Sequence, residues 1–330
     1  MIGTDLEEQA IMQADVVQIG KDDLTSRRTG LWRLGSGAKR ALRSLLQDRV
    51  AVVCALWLLL VAFAAAFQPL ISPHDFAAGT ITLRLKPPIW MEGSVPGYIL
   101  GTDQVGRDVL SRLIYGARTM LIISIAVVGV TATAGTFLGL VAGYFGGRID
   151  NIIMRWVDIQ TAFPSLLLAM AIILAIGASV RNLIIVLAIN GWMVYARMVR
   201  GSILQEKQAL YVDGARVAGA SHMRIMFVHL LPNVLNPLVT VANLEWARTI
   251  LAEATLSFIG LGIQPPEASW GLMMNDAQPY LPIGYWYLSV LPGACISISV
   301  LAINLFATWL RSYTDPLQKT MMARFEAKAS

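Results

Sequence analysis

The chain has 330 residues, of which 56% are hydrophobic and only 14% charged, against about 25% charged in an ordinary soluble domain. Mean hydropathy is +0.60, so the chain lacks the polar residues with which a soluble enzyme of this size would cover its surface. The net charge of +5 does not point to nucleic acid, because Lys and Arg collect between apolar blocks without aromatic interleaving or a recognition motif.

Residues 1–30 are polar, mixed in charge and without clear periodicity, as in a mobile tail. The run of Arg and Lys with Leu42, Leu45 and Leu46 in residues 31–49 predicts a short amphipathic helix at a membrane surface. The first apolar block, 50–73, starts too far from Met1 and runs too long for the h-region of a cleavable signal peptide. It predicts a first transmembrane helix at 50–71. The segment 72–116 holds Pro73, Pro87, Pro88 and Pro96, so its first half is expected to be irregular.

Further spans are expected within 119–147, 159–180, 182–196, 233–262 and 277–310, the last beginning near Tyr285. The expectation is an all-α polytopic membrane protein with six transmembrane helices, five of them in a core at 117–312. Nineteen Lys and Arg fall on the side that holds both termini and six on the other, with Arg248 inside a span. That bias puts residues 1–49 and the tail 313–330 in the cytoplasm and 72–116 outside it.

Cys54 and Cys295 both lie in apolar blocks, which leaves no disulfide framework and no Cys-rich metal site. His74, His222 and His229 fall on different membrane sides and cannot form one metal cluster. The only glycine-rich stretch ending in Lys, Gly35-Ser36-Gly37-Ala38-Lys39, lacks the spacing and the strand-to-helix setting of a phosphate-binding loop. No ATP site, cofactor or metal is therefore expected on this chain, which reads as a non-enzyme.

Gly135, Gly139, Gly143 and Gly147 recur every four residues and form a flat stripe, suited either to packing within the chain or to a seam between subunits. In the fifth span, Glu245 and Arg248 are three apart and can pair on one helix face. They are candidate lining of a translocation path, since ions in hydrocarbon are costly. Glu253 lies on a different face and is expected to meet a neighbouring helix or water. Ahead of the second span, Gly101 and Gly106 permit a tight turn, and Thr102 or Asp103 can cap the helix that follows. Arg107, Arg112 and Arg118 are placed at the headgroups. Asp103 and Asp108 suit either capping and ion pairing or a substrate contact.

Between spans four and five, small residues at 214, 215, 218, 219 and 220 sit in a helix, a glycine turn and an amphipathic second helix that ends at Pro232. This makes a helix-turn-helix knob able to enter a groove on another protein. The segment resembles the EAA loop of ABC importer permeases. Asp213, Gly214 and Ala215 occupy the triad, Gly219 the glycine, and Leu231 and Pro232 the Leu-Pro end. It departs from the pattern at Asp213 for Glu, Gly214 for Ala, and His229 where many families have Ile. Gly214 weakens helix propensity.

Two further stretches resemble the C-type permease subunit of dipeptide, oligopeptide and nickel importers. One runs from Leu100 through Gly101, Thr102, Asp103, Gly106, Arg107 and Asp108 to Arg112, with Tyr115 to Arg118 after it. The other runs from Ile250 through Glu253 to Gly262, then Gln264-Pro265-Pro266 and Ser269-Trp270-Gly271.

The resemblance implies a type I ABC importer permease fold with a cytoplasmic coupling helix-turn-helix at about 205–232, in the bacterial inner membrane. It implies short peptides or a related small solute, nickel included, as cargo. The implied partners are a second homologous permease in a heterodimer, two ABC ATPase subunits and an extracytoplasmic solute-binding protein, with lipid around the spans. Two other classes compete. A secondary transporter would use Glu245 and Glu253 as an ion relay, and no convincing internal repeat supports it. An intramembrane hydrolase would need a nucleophile and base on one helix face, which Ser221-His222 and the scattered serines do not provide.

Overall fold

The structure is a computed structural model, and it describes residues 44–314. By its contacts the chain divides into two units, with the boundary between Arg49 and Val50. Of the first, residues 44–47 are helical and Asp48 N–H donates to the Leu45 carbonyl at 3.1 Å. The expected tail at 1–30, the greater part of the amphipathic helix at 31–49 and the residues from 315 onward lie outside the described residues.

The second unit is built from helices. They are α1 (Arg49–Ala66), α2 (Gln68–Ile71), α3 (Val109–Phe145), α4 (Gly147–Thr161), α5 (Ser165–Ile176), α6 (Val180–Glu206), α7 (Leu210–Val217), α8 (His222–Arg224), α9 (Leu231–Phe258), α10 (Trp270–Ala277) and α11 (Tyr287–Thr314). Short 3-10 turns stand at Ile81–Leu83 and Gln278–Ile283, and a π turn at Ile225–Leu230 joins α8 to α9. Among the described residues no strand forms; an isolated antiparallel bridge links Thr102 and Asp108.

Among the described residues, five helices are long and apolar enough to cross a membrane: α1, α3, α6, the run His222–Phe258, and α11. The expected third span at 159–180 is not one helix. Its place is taken by α4 and α5, bent by 88° across the break. The cause is local: Pro164 has no N–H and disfavours helical backbone at Phe163. Gly177, at φ +89°, then ends α5 after 12 residues. Counted as one bent span, the pair makes six. The fourth span is longer than the apolar run 182–196 predicts, because α6 continues to Glu206. Arg200 is neutralised there by Asp150 of α4, with Nη2 to Oδ2 at 2.6 Å and a second bond from Nε to the other oxygen.

The longest packing seam joins α3 to α6, and the glycine stripe makes it. A Cβ on Gly139 would stand 2.5 Å from the Ala196 carbonyl oxygen, and one on Gly143 would stand 2.8 Å from Cβ of Ile203. Gly135 meets α6 in the same way at Trp192 and Tyr195. Close backbone approach of this kind replaces hydrophobic driving force where the surroundings are themselves apolar. Of the two uses foreseen for the stripe, these three glycines serve packing within the chain. Gly147, at φ +54°, begins α4, and a Cβ added there would meet no atom of another element within 4 Å.

Side-chain donors stitch the other helices together. Trp57 Nε1 donates to Ser299 Oγ at 3.0 Å between α1 and α11, and Trp246 Nε1 to Ser124 Oγ at 2.8 Å between α9 and α3. Trp270 Nε1 reaches the Leu113 carbonyl at 2.9 Å. Leu56, Leu59, Leu60 and Phe63 of α1 stay exposed, as a lipid-facing surface requires.

Candidate functional site

The knob between α6 and α9 starts with α7, whose single buried residue is Val212. Val212, Ile225, Met226 and Leu230 pack into one apolar cluster with Leu140 and Tyr144 of α3, Val199 and Ile203 of α6, and Val234. Tyr144 Oη and His222 Nδ1 lie 2.7 Å apart, and Lys207 Nζ donates to the Gly143 carbonyl at 2.8 Å. That ammonium sits against the negative end of the α3 dipole. On the α9 side, Tyr211 donates to Glu206 at 2.7 Å and accepts from Asn233 Nδ2 at 2.7 Å. Burial, and then the Glu206 carboxylate, raise the Tyr211 phenol above its ordinary value, which keeps it a donor. The knob is thus seated on the end of the α3–α6 seam and on the root of α9.

Its outer surface sets apolar side chains among the exposed charged residues Asp213, Arg216 and Arg224. Val217 is 91% exposed and Leu210 88%, with Met223 and Val228 also exposed. Asp213 and Gly214 point into open surroundings, and Asp213 accepts from Arg216 at 3.0 Å. Ala215 is partly buried against the cluster. Gly219 turns the chain at φ +77°, a backbone conformation that favours glycine, and Ser221 then caps α8 through the Arg224 N–H.

The second helix does not end at Pro232, contrary to the sequence reading. The chain stays helical through Leu231 and Pro232 into α9, with the π turn just before them. A proline lacks the N–H that an α-helix would bond four residues back, and the widened turn carries the chain past that gap.

The segment ahead of α3 forms a buried ion cluster. Asp103 accepts from the N–H groups of Val105 and Arg107 at 2.9 Å each, from Arg107 Nε at 2.7 Å and from Arg112 Nη1 at 2.5 Å. Arg112 also meets Asp276 at 3.3 Å and Arg107 meets it at 3.5 Å. Two arginines thus face two carboxylates, and Arg112 is 1% exposed. This corrects two expectations. Arg107 and Arg112 are not at the headgroups, because their carboxylate partners draw them inward; Arg118 alone of the three is exposed, 3.5 Å from Gln68 Oε1.

Nor do Thr102 or Asp103 cap α3. The cap is Asp108, which accepts from Ser111 N–H at 2.9 Å and from its hydroxyl at 2.5 Å, while His74 Nδ1 stands 3.6 Å from Asp108. Thr102 instead donates to the Leu83 carbonyl and accepts from Lys86 N–H. Gly101 and Gly106, at φ +79° and +81°, lie against the backbones of Lys86 and Thr80. Asp276 is the member of this cluster that sequence reading missed. It is 164 residues from Arg112, and no local spacing announces it.

On α9, Arg248 Nη1 donates to Glu245 Oε1 at 3.0 Å; the arginine side chain is 71% exposed and the glutamate 11%. Glu253 is separate from them and buried, accepting from Ser257 at 2.8 Å. Ser257 in turn accepts from Ile263 N–H at 3.3 Å, so this carboxylate closes the turn between α9 and α10. Among the described residues no group of three His, Cys, Asp or Glu is placed to hold a metal ion.

Residues 135–320 match the family described as binding-protein-dependent transport system inner membrane component. The chain belongs to that family. Residues 36–88 match a second description, the N-terminal transmembrane domain of oligopeptide transport permease C. This inner membrane component is 42% identical over 284 residues to the di/tripeptide transport system permease protein DppC of Pseudomonas aeruginosa, covering 86% of this chain and 93% of that one. It is 43% identical to the dipeptide transport system permease protein DppC of Escherichia coli K12, with coverages of 83% and 91%.

Its fold matches a chain of the MetNI methionine ABC transporter in an inward-facing crystal form. The TM-score is 0.51 at 19% identity, over 62% of this chain and 97% of that one. The fold is that of a type I ABC importer permease. The chain is an inner-membrane permease subunit of an ABC importer, in a family of transport components rather than catalysts.

Proposed function

We propose that this permease, paired with a second homologous permease, forms the translocation path for dipeptides and related short peptides, and that two ABC ATPase subunits drive it through the α7–α8 knob. An extracytoplasmic binding protein delivers the peptide. The knob, residues 1–49 and the tail 313–330 face the cytoplasm, as the distribution of Lys and Arg supports, and 72–116 faces outward. The names of the relatives support peptide as the cargo, in preference to nickel.

The observation that carries this reading is the form of the knob. Leu210, Val217 and Met223 are uncovered on its outer side, while its inner side is fixed to α3, α6 and α9. A protrusion so built moves as a body with the helices beneath it. ATP binding that closes the ATPase pair pulls on Asp213, Gly214, Ala215 and Gly219 at its surface. The continuous helix through Leu231 and Pro232 carries the displacement to Glu245 and Arg248 in the path. Access then switches between the two sides, a two-state change driven by the ATPases' different affinity for each state.

The test is uptake of a labelled dipeptide by proteoliposomes holding both permeases, the ATPases and the binding protein. Uptake is expected to require ATP and to fall to the leak rate when the ATPases are left out. Uptake that survived without them under an ion gradient would contradict the reading.

A further inference from the structure

Arg248 is out of place for a helix that meets only lipid or its own chain. It stands ten residues before the end of α9 at Phe258. At 1.5 Å per residue that is about 15 Å from the helix end, about half the thickness of a hydrocarbon core. Its neighbours on the same open face, Leu244 and Leu251, are 45% and 47% exposed. A guanidinium is costly against acyl chains at that depth, so the face borders water, a solute or the second permease, and the test below separates the last from the others.

The pairing leaves the cation available. Among the described residues, the hydrogen bond recorded for Arg248 is a single N–H on Glu245, and a guanidinium carries five. Glu245 is buried, and its carbonyl also accepts from Thr249 at 2.7 Å. The glutamate is therefore a bracket that holds the base of the arginine, and the rest of the guanidinium fork is presented to the open face.

The geometry points to Arg248 as a binding residue for the terminal carboxylate of the peptide in transit, with Glu245 as its positioning residue. This rests on the peptide reading above. The chemistry fits a path that takes varied side chains. Every dipeptide carries one C-terminal carboxylate whatever its sequence, and a guanidinium binds that group through two parallel N–H bonds. The peptide's ammonium finds no equal counterpart here, because Glu245 is buried and already engaged. The station therefore reads the carboxylate end.

The experiment uses the complete assembly in proteoliposomes. Arg248→Gln is expected to lower the maximal rate of dipeptide uptake at least tenfold, with unchanged yield of the assembled complex and unchanged membrane content. Arg248→Lys, which keeps the charge and loses the two-pronged donor, is expected to fall between Arg248→Gln and wild type. In a Cys54→Ala, Cys295→Ala background, Arg248→Cys is expected to lose uptake. It should regain several-fold after reaction with an ethylammonium methanethiosulfonate, which restores a cation, and nothing after the ethylsulfonate reagent.

Uptake by Arg248→Gln within twofold of wild type would overturn the inference, and so would failure of the cationic reagent to restore uptake in the Arg248→Cys variant. Loss of the assembled complex in Arg248→Gln would overturn it too, by assigning the arginine to a partner chain's acid. If the wild-type assembly itself moved no dipeptide, the peptide reading would fall first.

Discussion

Val217→Asp is expected to cut ATP-driven uptake at least tenfold while the protein remains folded in the membrane. Val217 is the most exposed of the large apolar side chains on the knob, at 91%, so the substitution removes no internal packing. It places a carboxylate where an apolar groove of the ATPase is proposed to close. Burying an unpartnered polar group costs about 1–3 kcal/mol by protein mutational data, and an unpaired carboxylate more, while each 1.4 kcal/mol is a tenfold change in affinity. The control is Val217→Leu, which keeps the apolar surface and is expected to transport normally. The paired measurements are uptake and co-purification of the ATPases, and both should fall together in the aspartate variant. Normal co-purification with normal uptake would remove the knob from the interface.

Asp103→Asn is expected to destabilise the permease by about 3–5 kcal/mol, the cost of breaking a buried ion pair by removing one partner. The asparagine leaves Arg107 and Arg112, 7% and 1% exposed, with Asp276 as their one carboxylate. It also weakens the acceptor for the N–H groups that close the loop at Val105 and Arg107. Asp213→Asn is the instructive contrast. Its partner Arg216 is three residues away, and both side chains are about half exposed, so the change costs less than about 1 kcal/mol. Thermal unfolding in detergent separates the two: a large fall in midpoint for Asp103→Asn and almost none for Asp213→Asn. Equal midpoints would mean that the cluster is open to water.

The helical architecture was legible because the bilayer imposes long uncharged runs, and because a stripe of glycines four apart admits few uses. The partner of the stripe was not legible. Nothing in Gly139 or Gly143 names Ala196 or Ile203, which close on them from 57 and 60 residues away. Hydropathy read 159–180 as one span because it is blind to geometry, and Pro164 was the available signal for the break. At the ion cluster the acids and arginines were visible, but which acid caps and which neutralises depended on Asp276, brought in from α10. The outline of the knob was readable from its small residues and Gly219. Its junction was not, because a proline reads as a stop until a π turn is seen to carry the helix past it. Glu245 and Arg248 were readable as a pair from spacing; that one is buried and the other exposed depends on neighbouring helices.

In the proposed mechanism a motor subunit grips the knob from the cytoplasm. A cysteine at Val217, in a chain freed of Cys54 and Cys295, tests it by cross-linking in intact inverted membrane vesicles that hold the whole assembly. The expected product joins this chain to an ATPase subunit, forms with short cross-linkers, and changes in yield when ATP is added. A cysteine that reacts only from the opposite side of the membrane, or that joins no ATPase at any cross-linker length, would contradict it.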